Sequence, residues 1–187
     1  MKLLIVYGTT EGQTRKIARF IEAILEGIGH HVTIADAADE PPSPLEFDAV
    51  LVGASIHIHN YQSAVVHYVQ HNLQALNKMP SAFFSVCLAV ASDIEEEHKE
   101  ARKTAADFLL RVGWSPLMIG HFAGAMKYTQ YDFLKRLVMR MIAKQEGRST
   151  DTSQDYEYTN WDAVKAFALE FAGKLSLHKD VATEGAG

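Results

Sequence analysis

Residues 3–18, LLIVYGTTEGQTRKIA, pass from an unbroken apolar run through a loop of small hydroxyl residues into a helical repeat. This junction constrains the fold more than any other segment. Leu3 to Tyr7 form a buried strand, and Ile17, Ala18, Ile21 and Leu25 then recur at helical spacing, so a helix opens directly behind the loop. Between them stand Thr9, Thr10, Glu11, Gly12, Gln13 and Thr14. The first turn of a helix has N–H groups without intrahelical partners and carries the positive end of the dipole, so it can hold a phosphate with no lysine in the loop. A Walker loop and a Gly-x-Gly-x-x-Gly fingerprint are both absent.

The rest of the chain alternates strands and helices. Strands are expected at His31 to Ala35, Ala49 to Gly53, Ala82 to Val86 and Leu117 to Phe122, which implies a parallel sheet. Helices are expected at Tyr61 to Leu76, at Ile94 to Val112 with Asp93 as cap, and at Trp161 to Leu175. Gly27 and Gly29 end the first helix, and Pro41, Pro42 and Pro44 mark a loop. With 187 residues, 48% of them hydrophobic, the chain suits one compact domain over residues 1–176, followed by a flexible tail at 177–187.

Charge and cysteine content narrow the function classes. A net charge of −5 gives no general electrostatic footprint for nucleic acid. Met1 to Tyr7 holds one basic residue and a very short apolar run, so neither a secretory signal nor a membrane span is expected there. The single cysteine, Cys87, has no partner for an internal disulfide, in keeping with a reducing cytoplasm, and its apolar setting favours an inert thiol. His57 and His59 alternate along one segment, and His67 and His71 lie four apart on a helix, but no third ligand stands in step with them. No metal site is expected.

The hydroxyl loop Thr9-Thr10-Glu11-Gly12-Gln13-Thr14 resembles the loop with which flavodoxins grip the monophosphate of FMN. That resemblance implies an α/β, flavodoxin-like, doubly wound five-stranded parallel sheet of order 2-1-3-4-5, with its ligand beyond the carboxyl ends of strands one and three. The loops after strands three and four would then flank the flavin ring. They contribute Ala54, Ser55, Ile56 and His57 on one side, and Val86, Cys87, Leu88, Ala89 and Val90 on the other. The residue that stacks on the ring stays open between His57, Ile58 and Tyr61.

After the fifth strand comes a segment of different character. In Tyr131 to Lys144, Leu134, Leu137, Val138, Met141 and Ile142 gather on one helical side, and Lys135, Arg136, Arg140 and Lys144 on the other. From Lys127 to Arg148 there are six basic and two acidic residues, a net of +4, which leaves about −9 on the remainder. A basic amphipathic segment at 127–157 suits an anionic membrane surface or an acidic lipophilic ligand. The same helix can also pack its apolar stripe on the domain.

Gly53-Ala54-Ser55-Ile56, Met79-Pro80-Ser81-Ala82-Phe83, Gly124-Ala125-Met126-Lys127-Tyr128, Thr150-Asp151-Thr152 and Tyr158-Thr159-Asn160-Trp161 resemble the bacterial flavodoxin-like protoporphyrinogen dehydrogenases. The likeness runs from Lys2 to about Leu175. It implies an FMN-dependent oxidation of a porphyrinogen in heme biosynthesis, with a respiratory quinone as acceptor, at the inner face of the cytoplasmic membrane. No general base is assigned, and Lys127, Tyr128, Arg136 and Arg140 are expected to face the substrate or the membrane. Departures from the family pattern are His57 and His59, the acidic run Asp93, Glu95, Glu96 and Glu97, and Thr129 and Gln130 in the insertion. An electron-carrying flavodoxin and an NAD(P)H-dependent quinone reductase are the alternatives.

Overall fold

The computed structural model describes residues 1–56, 60–91, 95–126 and 156–184. Five strands, β1 (Lys2–Gly8), β2 (His31–Asp36), β3 (Ala49–Ser55), β4 (Ser81–Val86) and β5 (Met118–Phe122), form one parallel sheet in the order β2-β1-β3-β4-β5. Helices α1 (Gln13–Gly27) and α5 (Trp161–Glu184) cover one face, and α2 (Ser63–His71), α3 (Leu73–Leu76) and α4 (Glu95–Val112) lie with the other.

Strand alternation divides the core in two. Leu3, Ile5 and Tyr7 of β1 pack with Ile17, Ile21 and Leu25 of α1 and with Phe167 and Phe171 of α5. Leu4 and Val6 point the other way, into Val65 and Val69 of α2 and Phe108 of α4. Burial on both faces is why β1 and β3 read as largely apolar runs rather than alternating ones, and β4 is buried at every position although it carries Ser81 and Ser85.

Helix ends follow local chemistry. At the end of α1 the Gly29 N–H donates to Glu26 O at 2.9 Å and the His30 N–H to Leu25 O at 3.1 Å, with Gly29 at a φ of 90°. This is a Schellman closure, which the left-handed conformation of glycine permits.

The helix expected over Tyr61 to Leu76 divides. Tyr61 lies before it, and Asn72 separates α2 from α3 while its carboxamide donates to Tyr68 O at 2.9 Å. An asparagine side chain that competes for a helical carbonyl favours such a break. The last helix is longer than expected, because its backbone continues to Glu184 through residues 174–184, which contain neither glycine nor proline. Two further pairs of residues, β6 (Ala125–Met126) and β7 (Tyr156–Glu157), join as an antiparallel bridge. They place Met126 beside Tyr156 just beyond β5.

Candidate cofactor site at the carboxyl end of the sheet

The winding of the sheet reverses between β1 and β3, since β1 leads to β2 on one side and β2 returns to β3 on the other. Loops that diverge there leave a crevice beyond the carboxyl ends of the strands. The Thr9–Gly12 loop, residue Ile56, the 3-10 turn Leu88–Ala91 and the β6–β7 bridge all stand at this end.

The first loop is shaped for an anion. Thr9 Oγ1 accepts from the Gly12 N–H at 2.8 Å, and Gly12, at a φ of 92°, turns the chain into α1. No side chain caps α1, and no acidic residue sits in its first turn. The first-turn N–H groups are therefore not taken up by a capping side chain, and the turn itself carries no carboxylate to repel an anion. Thr14 is fully buried, and its hydroxyl has no hydrogen-bond partner. A buried hydroxyl left unpaired in the first turn of an uncapped helix fits a phosphate oxygen as its missing partner. Thr10 is exposed, and Glu11 and Gln13 are half-buried.

The flanking segments supply a slot. Ala54 and Val86 are buried, while Ser55, Ile56, Cys87, Leu88, Ala89 and Val90 are half-buried at the rim. The Ile56 N–H donates to Val86 O at 2.8 Å, which locks the end of β3 to the end of β4. The Cys87 N–H donates to Phe122 O at 3.0 Å, and the Val90 N–H closes on Cys87 O at 3.2 Å. Burial pushes the Cys87 thiol up from its ordinary value, with Glu100 and Glu97 adding to the shift against a bond from the Ala89 backbone. The sulfur is thus an uncharged thiol at neutral pH rather than a nucleophile. Partly buried apolar walls with backbone polar groups along them match the needs of a flat heteroaromatic ring.

Tyr61 is not available to stack on such a ring. It is 6% exposed, packs edge-on to Phe83 with centroids 5.3 Å apart, and shares a 2.8 Å hydrogen bond with the Ser85 hydroxyl. Its ring belongs to the core beneath the sheet end, and burial raises its hydroxyl far above the usual phenol range. His57, Ile58, His59 and Asp93 lie outside the described residues, as do Lys127, Tyr128, Thr129, Gln130, Arg136 and Arg140. His67 and His71 are exposed, and among the described residues no group of three His, Cys, Asp or Glu side chains is arranged to hold a metal ion.

Three contacts at this end join residues far apart in the sequence or in separate loops. Gln62 donates through Nε2 to Thr10 Oγ1 at 3.1 Å and to Ser55 Oγ, which ties the first loop to the end of β3. Thr159 bonds the Gln13 carboxamide at 2.8 Å. Glu157 accepts from Trp161 Nε1 at 2.7 Å and pairs with Lys16. Beside the quoted motif Tyr158-Thr159-Asn160-Trp161, a local signal for this last segment is Asn160, whose Oδ1 caps α5 by accepting from the Ala163 N–H at 3.0 Å.

Comparison with known proteins agrees with this architecture. The protein-family profile described as "Flavodoxin domain" matches residues 4–153. The chain is similar to the protoporphyrinogen IX dehydrogenase [quinone] of Escherichia coli strain K12, with 37% identity over 173 residues, covering 92% of this chain and 95% of that protein. It is also similar to the Leishmania major protein of the same name, with 35% identity, 91% of this chain and 74% of that one. Among solved structures, a flavodoxin from Streptococcus pneumoniae TIGR4 superposes with a TM-score of 0.56 at 14% identity, over 93% of this chain and 99% of that one. Flavodoxin 2 from Bacillus cereus gives 0.55 at 16% identity, over 93% and 99%. These two likenesses concern the fold. With the family profile spanning most of its length and a relative matched nearly end to end, the chain belongs to the flavodoxin-domain family and is related to the protoporphyrinogen IX dehydrogenases.

Proposed function

We propose that this chain is an FMN-dependent oxidoreductase that converts protoporphyrinogen IX to protoporphyrin IX with a respiratory quinone as electron acceptor. The observation that carries this reading is the uncapped, hydroxyl-lined start of α1, with its orphaned Thr14 hydroxyl, in a chain that matches the E. coli dehydrogenase over 92% of its length. First-turn amides of α1 with the hydroxyls of Thr9, Thr10 and Thr14 would hold the phosphate, and Ala54 to His57 and Val86 to Val90 would flank the ring. When bound, FMN supplies two-electron redox chemistry.

The protein's own part is to bind, orient and shield. Gln62 holds the loop hydroxyl of Thr10 and the strand-end hydroxyl of Ser55 in fixed relation. The neutral Cys87 thiol keeps the slot free of negative charge. Porphyrinogen loses six electrons and six protons, so three quinones are each reduced to a quinol per porphyrin formed. Lys127 and Arg136 would pair with the substrate carboxylates, and the basic 127–157 insertion would rest on the anionic inner face of the cytoplasmic membrane. Among the described residues, no helix is long and apolar enough to cross a membrane.

Steady-state assay of the FMN-loaded protein under anaerobic conditions tests the reading. Porphyrin fluorescence should grow in with quinone present, at three quinones consumed per porphyrin, and Lys127→Ala and Arg136→Ala should weaken apparent substrate affinity. Quinone reduction that needs NADPH and ignores porphyrinogen would assign the chain to the nicotinamide-dependent reductases instead.

A further inference from the structure

The chain comes back to its own beginning at residues 156–161. Thr159 is 9% exposed; its hydroxyl donates to Ala123 O at 2.7 Å and accepts from Gln13 Nε2 at 2.8 Å, across 146 residues of chain. A hydroxyl has one proton, and here it is committed to the carbonyl, so only a donor can complete the other side. The Gln13 carboxamide is thereby fixed with its nitrogen toward Thr159. Three residues on, Lys16 pairs with Glu157 and lies over the Trp161 ring at 5.5 Å, while its own N–H closes the first intrahelical bond to Gly12 O at 3.1 Å.

These ties replace an ordinary cap. A Ser, Thr, Asp or Asn at the N-cap steadies a helix start by accepting from one of its first-turn amides, which removes that amide from use by a ligand. Here the N-cap is Gly12, with no side-chain bond, and the turn is steadied through the Gln13 side chain from the far end of the chain. The donors stay free and the turn stays fixed. The buried, unpartnered Thr14 hydroxyl lies in that same turn.

We propose that Thr159 is a positioning residue for the cofactor's phosphate: by fixing Gln13 it holds the first-turn donors of α1 in the geometry that a phosphoryl group requires. The proposal rests on the FMN reading above. The effect is read at the phosphate, because the Gln13 tie acts on the helix start and donors held in place in advance bind more tightly than donors that must be ordered on binding; the second bond of Thr159, to Ala123 O, lies at the end of β5 and is left intact by Gln13→Ala.

The test is the ratio of riboflavin to FMN dissociation constants, measured by flavin fluorescence on the full chain. Riboflavin shares the ring and ribityl chain and lacks the phosphate, so the ratio isolates the anion site. Wild-type protein should prefer FMN strongly, and Thr159→Val should lower that preference about tenfold, the loss expected for a broken hydrogen-bond tie. Riboflavin affinity should stay within about twofold, and Thr159→Ser should restore the ratio. Gln13→Ala, at a half-buried position, removes the same tie and should match Thr159→Val, which keeps the test open if the valine variant does not fold. Equal weakening of both flavins, or no change in either, would overturn the positioning role. A wild-type ratio near one would overturn the phosphate site itself and the FMN reading with it.

Discussion

The hydroxyls of Tyr61 and Ser85 share a 2.8 Å hydrogen bond between a loop before α2 and the interior of β4, and Ser85 is 1% exposed. An aromatic residue in the loop after β3 is thus committed to the core, in contact with Phe83 and Phe108, rather than to the ligand crevice. Tyr61→Phe should keep the ring packing and strand the serine hydroxyl, which costs about 1–2 kcal/mol of stability. Urea unfolding should read that loss while FMN affinity stays unchanged.

Gly53 in β3 leaves its space to a neighbour. A Cβ built there would lie 2.0 Å from the ring of Phe84, its cross-strand partner in β4. Gly53→Ala should therefore destabilise the fold by about 1–3 kcal/mol through overpacking. Pairing it with Phe84→Leu should recover part of the loss, measured as a double-mutant cycle.

Gln62 commits both protons of its amide nitrogen, one to Thr10 and one to Ser55, while its Oε1 is buried without a partner. Gln62→Leu should release the first loop from the end of β3. Because that tie serves the ring side as well as the phosphate side, FMN and riboflavin should both weaken, by about fivefold for a lost hydrogen bond. Fluorescence titration separates this pattern from the phosphate-specific one expected at Thr159.

Burial lowers the His121 pKa below its ordinary value of 6.5, with the charge of Arg102 acting in the same direction, and burial does the same to His30, helped by the N-terminal charge. A histidine with a depressed native pKa binds fewer protons in the folded chain than in the unfolded one. Stability from these sites is complete above about pH 6.5 and is lost as pH falls from there toward the lower folded values. Thermal melts from pH 7.5 downward should show Tm falling with acid, and His121→Gln should make the fall shallower.

Local signals explain which parts of this molecule were legible in its sequence. The run Leu3 to Tyr7 and the repeat Ile17, Ala18, Ile21 and Leu25 announce β1 and α1 because burial on both faces of a strand, or on one stripe of a helix, is written in consecutive residues. Tyr61 misleads for a physical reason: a tyrosine beside a strand end satisfies the chemistry of a core and of a ligand wall equally, and only its reach to Ser85 decides. The break at Asn72 turns on a single side-chain bond to Tyr68 O. The ties from Thr159 and Glu157 to α1 span more than 140 residues and leave no periodic trace.

In the proposed function, a flavin held at the start of α1 would take electrons from a porphyrinogen. Rapid anaerobic mixing of the FMN-loaded protein with protoporphyrinogen IX, without quinone, measures that transfer directly. That transfer requires protoporphyrinogen to bleach the oxidised flavin absorbance and quinone to restore it. Bleaching by NADPH with an unresponsive flavin in the presence of protoporphyrinogen would contradict it.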